Sequence, residues 1–223
     1  MRLLAVTGMQ REAKLLRGRC AGIVAGSDNS TLAGKIEAAI ARGARAILSF
    51  GICGALSPDL AVGAVVIGTE IVSTDARWRA DKKWSDALAR ACEATSSVIA
   101  GSDSLLLTGA AKAVLHRETG AVAADMESHI VARVASARGF PFAVLRAVSD
   151  DAHHALPPAA AFALDEQGRV DYSAVMLSLL DEPSQFRALI RTARDTNIAM
   201  KALLRCLERL PAGLGCPYPS GEY

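Results

Sequence analysis

The chain has 223 residues, 51% of them hydrophobic and 22% charged, enough for one substantial core. A formal net charge of +2 and an aromatic content of 4% give no electrostatic footprint for nucleic acid and few platforms for stacking exposed bases. No apolar run reaches the roughly 18–20 residues of an integral membrane segment, and MRLLAVTGMQ at the N-terminus lacks the long apolar region and small-residue cleavage site of a secretion signal.

LLAVTG (3–8) reads as a buried strand, with a helix over 9–17 after it. AGIV (21–24) is a weak strand. TLAGKIEAAIARG (31–43) is a helix with Leu32, Ile36, Ala39 and Ile40 on one face, Ser30 as its N-cap and Gly43 as its stop. ARAILSFG (44–51) is rich in strand formers and ends on glycine, and residues 61–73 form one long strand or two, entered through the turn LSPDL. Helices over 82–94 and 109–118 flank a strand at 96–102. A short strand at 121–124 leads into a helix over 125–139, closed by Gly139. PFAVLRAVSD (141–150) is the most strand-like run and opens on a proline, which a strand tolerates at its first residue. This alternation predicts a single α/β domain over 1–210, with a mixed, mostly parallel twisted sheet flanked by helices. After Asp151 the pattern turns helical: PPAAAFAL, a helix near 172–180, a break at DEPSQF and a long helix over 184–209 form a C-terminal tail packed on the sheet. The Pro- and Gly-rich end, 211–223, is expected to be flexible.

Five cysteines, at 20, 53, 92, 206 and 216, include no C-x-x-C pair, which points to free thiols in a reducing, cytoplasmic compartment. His153 and His154 have no cysteine or acidic partner at ligand spacing, so no metal and no other cofactor is expected.

Two features carry chemistry. FGICGAL (50–56) follows a strand, and glycines at 51 and 54 allow backbone to approach a ligand there, although the spacing matches neither a dinucleotide fingerprint nor a Walker loop. Acidic residues also recur just after predicted strands: Glu12, Asp125, Glu127 and Asp150. Ligand sites in parallel α/β sheets gather at the carboxyl ends of strands. Each carboxylate also has a structural reading, since Glu12 and Glu127 suit a helix's first turn and Asp125 an N-cap. With Arg146 and Ser149 on the strand before Asp150, the set forms a candidate site holding a base, an acid and hydroxyl-binding groups.

Four segments in order, VTGMQRE (6–12), GICGALSPDLAVGAVVI (51–67), AADMES (123–128) and FAVLRAVSD (142–150), resemble the nucleoside phosphorylase and nucleosidase superfamily, above all its methylthioadenosine/S-adenosylhomocysteine nucleosidase branch. AADMES is similar to that branch's VEMEA and FAVLRAVSD to its F…VRAISD. The last two are the specific pair, and the likeness runs from residue 1 to about 152. It implies cleavage of a purine nucleoside's N-glycosidic bond. Asp150 would protonate N7 of the base and Ser149 would orient Asp150. Glu127 would accept hydrogen bonds from the ribose 2′- and 3′-hydroxyls above Met126, and Glu12 would activate water with help from Arg146. Leu105 and Leu106 would wall the purine, Gly51, Ile52 and Gly54 would contribute the glycine loop, and Asp103 is the least certain member. The scheme is coherent, because breaking the bond at C1′ builds positive charge that carboxylates stabilise while an acid relieves the leaving base.

Departures from the family bear on the acceptor. Where phosphorylases place phosphate-binding arginine and serine, this chain has Ser49 and Ile52, which favours water, and Arg11 beside Glu12 reads as a solvated helix residue. The segment from Arg17 to Ser30 is shorter than usual in the family and leaves the usual homodimer open. The tail, from HHALPPAAAFAL (153–164) onward, resembles members associated with hopanoid biosynthesis. That likeness implies a lipid-linked adenine nucleoside, adenosylhopane, at the inner membrane surface, with Phe162, Leu164, Leu156 and Trp78 as apolar walls or ordinary core. The alternatives are a methylthioadenosine/S-adenosylhomocysteine nucleosidase, a phosphate-dependent purine nucleoside phosphorylase, and a nucleoside-binding protein without activity.

Overall fold

The computed structural model describes residues 2–26, 28–162, 165 and 168–218. Among them the elements run β1 (Arg2–Thr7), α1 (Gln10–Leu15), β2 (Gly22–Ala25), α2 (Asn29–Ala41), β3 (Ala44–Ala55), β4 (Val65–Val72) and β5 (Arg77–Arg79). They continue with α3 (Lys82–Cys92), β6 (Thr95–Gly101), α4 (Gly109–Thr119), β7 (Ala123–Asp125), α5 (Ser128–Ala137), β8 (Phe142–Asp150), α6 (Tyr172–Asp181) and α7 (Phe186–Arg209). The single α/β domain and its helical tail are as the alternation predicts. Residues 61–73 resolve into one strand, β4, and the three-residue β5 has no counterpart in the sequence reading.

Two helix starts differ from expectation. α2 is capped by Asp28, whose carboxylate accepts from the Ser30 N–H at 2.9 Å, so Ser30 lies inside the helix. A charged acceptor is favoured at the positive end of a helix. α5 begins at Ser128, three residues late, because Asp125 is the last residue of β7.

Five of the eight strand pairings are parallel and three antiparallel. β3 pairs with β1 and β8, and β8 turns antiparallel onto β4; β4 runs beside β6 and β6 beside β7. The circuit closes where the far end of β3 meets β7 antiparallel, Gly54 opposite Ala124 and Ala55 opposite Ala123. A register shift between Cys53 and Gly54 bends β3 toward that contact. The carboxyl ends of β3, β7 and β8 thereby converge.

Side chains alternate across the sheet with period two. Leu4, Ile47 and Val144 face α2 and α5 and pack with Leu32, Ile36, Ile130 and Val131. Their neighbours Leu3, Leu48 and Leu145 face α3 and α7 and pack with Trp84, Leu88, Leu203 and Leu207. The 211–218 segment departs from the flexible end expected. Leu214 is fully buried and its carbonyl accepts from Trp84 Nε1 at 3.0 Å, while the Tyr218 hydroxyl donates to Asp81 Oδ2. No helix among the described residues is long and apolar enough to cross a membrane.

Candidate active site

The convergent strand ends form the floor of a half-open cleft. Glu12, Ile52, Gly54, Leu105, Leu106, Met126, Glu127, Ser149 and Asp150 all line it. Elements far apart in sequence supply them: α1, β3, the 102–108 loop, the β7–α5 turn and the end of β8.

Glu12 is buried at one end. Its Oε2 accepts from the Met9 N–H at 2.8 Å, fastening the start of α1, and its Oε1 accepts from the Ile52 N–H at 2.9 Å, fastening α1 to β3. The helical reading of Glu12 is therefore correct, and it coexists with a position on the cleft. Burial raises its pKa above the ordinary carboxylate range, and Arg146 with the N–H groups of Ile52, Met9 and Gly8 counters this only in part.

Glu127 follows Asp125 and Met126 in the turn between β7 and α5. Burial, above all, pushes it up to about 8; Arg146 pulls it back, and the charges of Asp125 and Glu12 push it further up. Asp125 does the capping work expected of it, although it belongs to the strand: its Oδ1 accepts from the N–H groups of Glu127 at 3.0 Å and Ser128 at 2.7 Å. Its Oδ2 lies 2.8 Å from Arg146 Nε, and both side chains are almost fully buried.

Arg146 differs from its expected place. It does not line the cleft but lies beneath it, with Nη2 donating to Ser49 Oγ at 2.7 Å and standing 3.4 Å from Glu127 Oε2. Burial opposes its charge, and Asp125, Glu127 and Glu12 together more than offset that, so its pKa is raised. Arg146 is a counter-ion that holds the carboxylates in position. Ser49 is spent on it, and Arg11 points away, toward Asn197 Oδ1 at 2.8 Å.

The expected glycine loop is a strand. Gly51 and Gly54 lie within β3, and their missing side chains make room for other side chains. A Cβ on Gly51 would stand 2.6 Å from Arg146 Nη1 and from Glu12 Oε1, and one on Gly54 would stand 2.8 Å from Asp150 Oδ2. Gly51 itself does not reach the cleft. Gly8 serves the same end, since a Cβ there would overlap the Glu127 carboxylate.

At the opposite end, Asp150 has Ser149 Oγ 2.9 Å from its Oδ1; that hydroxyl also lies 3.2 Å from the Cys53 carbonyl, and its one proton serves either. Asp150 Oδ2 receives a hydrogen bond from Lys112 Nζ at 2.5 Å, and Lys112 also donates to the Asp151 carbonyl at 2.6 Å. Sequence reasoning missed Lys112. Its signal is the stripe Lys112, Leu115, His116, Thr119, which puts a lysine on the inward face of α4.

The remaining expectations divide. Asp103 is not among the cleft residues; it is exposed and pairs with the buried His129 at 3.0 Å. Leu156 lines the cleft, whereas Trp78 lies on β5 against the α2–α5 side of the core. Leu164 and the side chain of Phe162 lie outside the described residues. His153 and His154 are exposed, with His154 Nδ1 2.7 Å from Asp151 Oδ2 and Arg191 beside both.

The family described as the phosphorylase superfamily matches residues 20–181. No curated protein matches the chain by sequence. Solved structures match it by fold. A Helicobacter pylori 5′-methylthioadenosine/S-adenosyl homocysteine nucleosidase mutant with 5′-methylthioadenosine in its active site superposes with a TM-score of 0.64 at 18% identity, over 94% of this chain and 99% of that one. The Neisseria meningitidis nucleosidase in complex with methylthio-immucillin-A gives 0.65 at 20% identity, over 94% and 100%. Futalosine hydrolase of Helicobacter pylori gives 0.65 at 17% identity, over 93% and 97%. At these identities the likeness establishes the fold.

Proposed function

The chain belongs to the phosphorylase superfamily of enzymes, and from that premise we propose that it cleaves the N-glycosidic bond of a purine nucleoside, with water as the acceptor. The observation that carries this is the separation of roles along one cleft. Glu12, a buried carboxylate with a raised pKa, stands at one end, and Asp150, hydrogen-bonded to a buried ammonium, stands at the other, with Met126 and Glu127 also on the wall. A sugar bound over Met126 would present its hydroxyls to Glu127 and C1′ to a water on Glu12, while its base reached Asp150. Developing charge at C1′ would meet carboxylates preorganised out of bulk water, where they are worth most.

Water is preferred to phosphate on electrostatic grounds. Among the described residues lining the cleft the one cationic side chain is Lys112, which is engaged with Asp150, so none of them offers an incoming anion a free positive charge. The Ile52 N–H, a donor in the β3 segment, already serves Glu12.

A finer reading concerns the 5′ substituent. The tail's likeness to hopanoid-associated members suggests adenosylhopane, and Leu156, one of the apolar walls expected for its substituent, lines the cleft. The single domain over 1–210, the cytoplasmic location and a homodimer belong to the same proposal. The test is to offer methylthioadenosine, inosine and adenosylhopane with and without phosphate and to follow base release. Release without phosphate is expected; strict phosphate dependence overturns the choice of water, and release from the small nucleosides alone removes the lipid.

A further inference from the structure

α4 is a surface helix whose one fully buried side chain is a lysine. Lys112 is 1% exposed, and its neighbours Ala110, Ala113, Val114 and Arg117 face outward. Burying an ammonium costs several kcal/mol before any partner is counted. Its partners among the described residues are Asp150 Oδ2 and the Asp151 carbonyl. A buried ion pair adds little net stability compared with apolar packing, so stability does not explain a lysine here.

The mounting is rigid. Thr108 caps α4 by accepting from the Ala111 N–H at 3.2 Å, and the Leu156 N–H donates to the Leu107 carbonyl at 2.9 Å. Gly109 lets the helix press on the chain after β8: a Cβ there would stand 2.9 Å from the His153 carbonyl oxygen. The ammonium is therefore held against Asp150 at the cleft wall, its side chain 1% exposed, while Asp150 stays partly open, its side chain 15% exposed.

We propose that Lys112 and Asp150 form one acid unit, in which the buried ammonium supplies the proton that Asp150 passes to the leaving base. This rests on the nucleosidase reading above and adds the origin of the proton to it. As the C1′–N9 bond breaks, its electron pair stays with the purine. The ammonium passes a proton to Asp150 Oδ2 and the carboxyl passes one to N7, so the base departs neutral. The attacking water gives its oxygen to C1′ and its proton to Glu12. Lys112 ends neutral and Glu12 protonated, and exchange with solvent restores both. Lys112 acts through Asp150 and is a positioning and proton-supplying residue.

The test compares K112M, K112R, D150N and the double variant D150N/K112M on a purine nucleoside and on p-nitrophenyl β-D-riboside, whose leaving group departs without a proton. K112M and K112R are each expected to lower kcat on the purine nucleoside by about 10²-fold or more with little change in KM, and to change the p-nitrophenyl reaction by less than about 3-fold. The double variant is expected to be no slower than D150N. Arginine keeps the charge but gives up no proton, so wild-type rates in K112R overturn the proton supply, as do equal losses on both substrates or additive losses in the double variant. The ratio of the two substrate rates does not depend on the folded fraction, and K112R carries the test if K112M does not fold. A wild-type protein that releases no base from any purine nucleoside fails earlier, at the parent reading.

Discussion

A carboxyl that delivers a proton and one that receives a proton must be kept apart, and single residues do that here. Asp150 is held by Ser149 and Lys112, Glu12 by two backbone N–H groups, and the distance between them is set by β3, which passes both. Replacing Asp150 by asparagine keeps the shape and removes the acid; a fall in kcat of about 10²–10⁴-fold per folded molecule is expected, with a lower thermal melt because the buried Lys112 ammonium loses its counter-ion, and near-normal turnover would show the role to be wrong. Gly51 gives a second prediction. A methyl group at that position must displace Glu12 or Arg146, both buried, and a shift of 1 Å in a catalytic group costs on the order of 10²-fold. Steady-state assays of G51A should show that loss. G34A is the control: nothing lies within 4 Å of a Cβ there, and alanine in a helix interior is expected to stabilise by about 0.5–1 kcal/mol without changing turnover.

The elements divide between those that build the floor and those that clamp it. α7 is a clamp. Ala199, Met200, Ala202, Leu203, Cys206 and Leu207 repeat at helical spacing, and the stripe seals the sheet face behind the cleft. Leu203 is fully buried, so L203A should cost about 2–5 kcal/mol in urea unfolding, with KM changing little because no α7 side chain lines the cleft. A loss in KM comparable to that in stability would mean that α7 positions the site directly. The elements were also the most legible part of the sequence. Buried strands such as 44–55 and 142–150 are mostly apolar with β-branched residues, interrupted at Arg45 and Ser49 and at Arg146 and Ser149, and helices such as 31–43 carry both an inward face and a stop signal. Starts were less legible where two polar residues compete for one cap, as Asp28 and Ser30 do.

At the scale of the molecule, a buried network among the described residues gathers Arg146 with Asp125, Glu127 and Glu12, beside the Lys112–Asp150 pair. Three carboxylates around one guanidinium cannot all be ionised cheaply, and Glu127 carries much of the strain, its pKa pushed from 4.5 up to about 8. The folded state then binds more protons than the unfolded chain between those values. Stability must fall as pH rises through that window and is greatest toward its acid end. Glu12, also raised, adds a fall of the same sign. Melting temperatures measured from pH 5 to 8 should decline, and E127Q, which stays neutral, should flatten the decline. A wild-type melting temperature that rises across this range would contradict the assignment. A ligand whose hydroxyls donate to Glu127 favours its charged form, so bound nucleoside should reduce the same slope.

Legible in the sequence alone are the order of the elements other than β5, the carboxylates at strand ends and the resemblance carried by AADMES and FAVLRAVSD. These are local properties: periodicity, caps and short motifs are fixed by neighbours within a few residues. Which groups meet is fixed by the fold. The closure of β3 onto β7 brings Glu12, Glu127 and Asp150 to one cleft, sends Arg146 beneath it, and sets Lys112 of a surface helix against Asp150. The glycines at 51 and 54 read as room for a ligand, and in the fold they are room for Glu12, Arg146 and Asp150. Pairing between groups dozens of residues apart depends on strand register and helix rotation, and neither is encoded in any one segment.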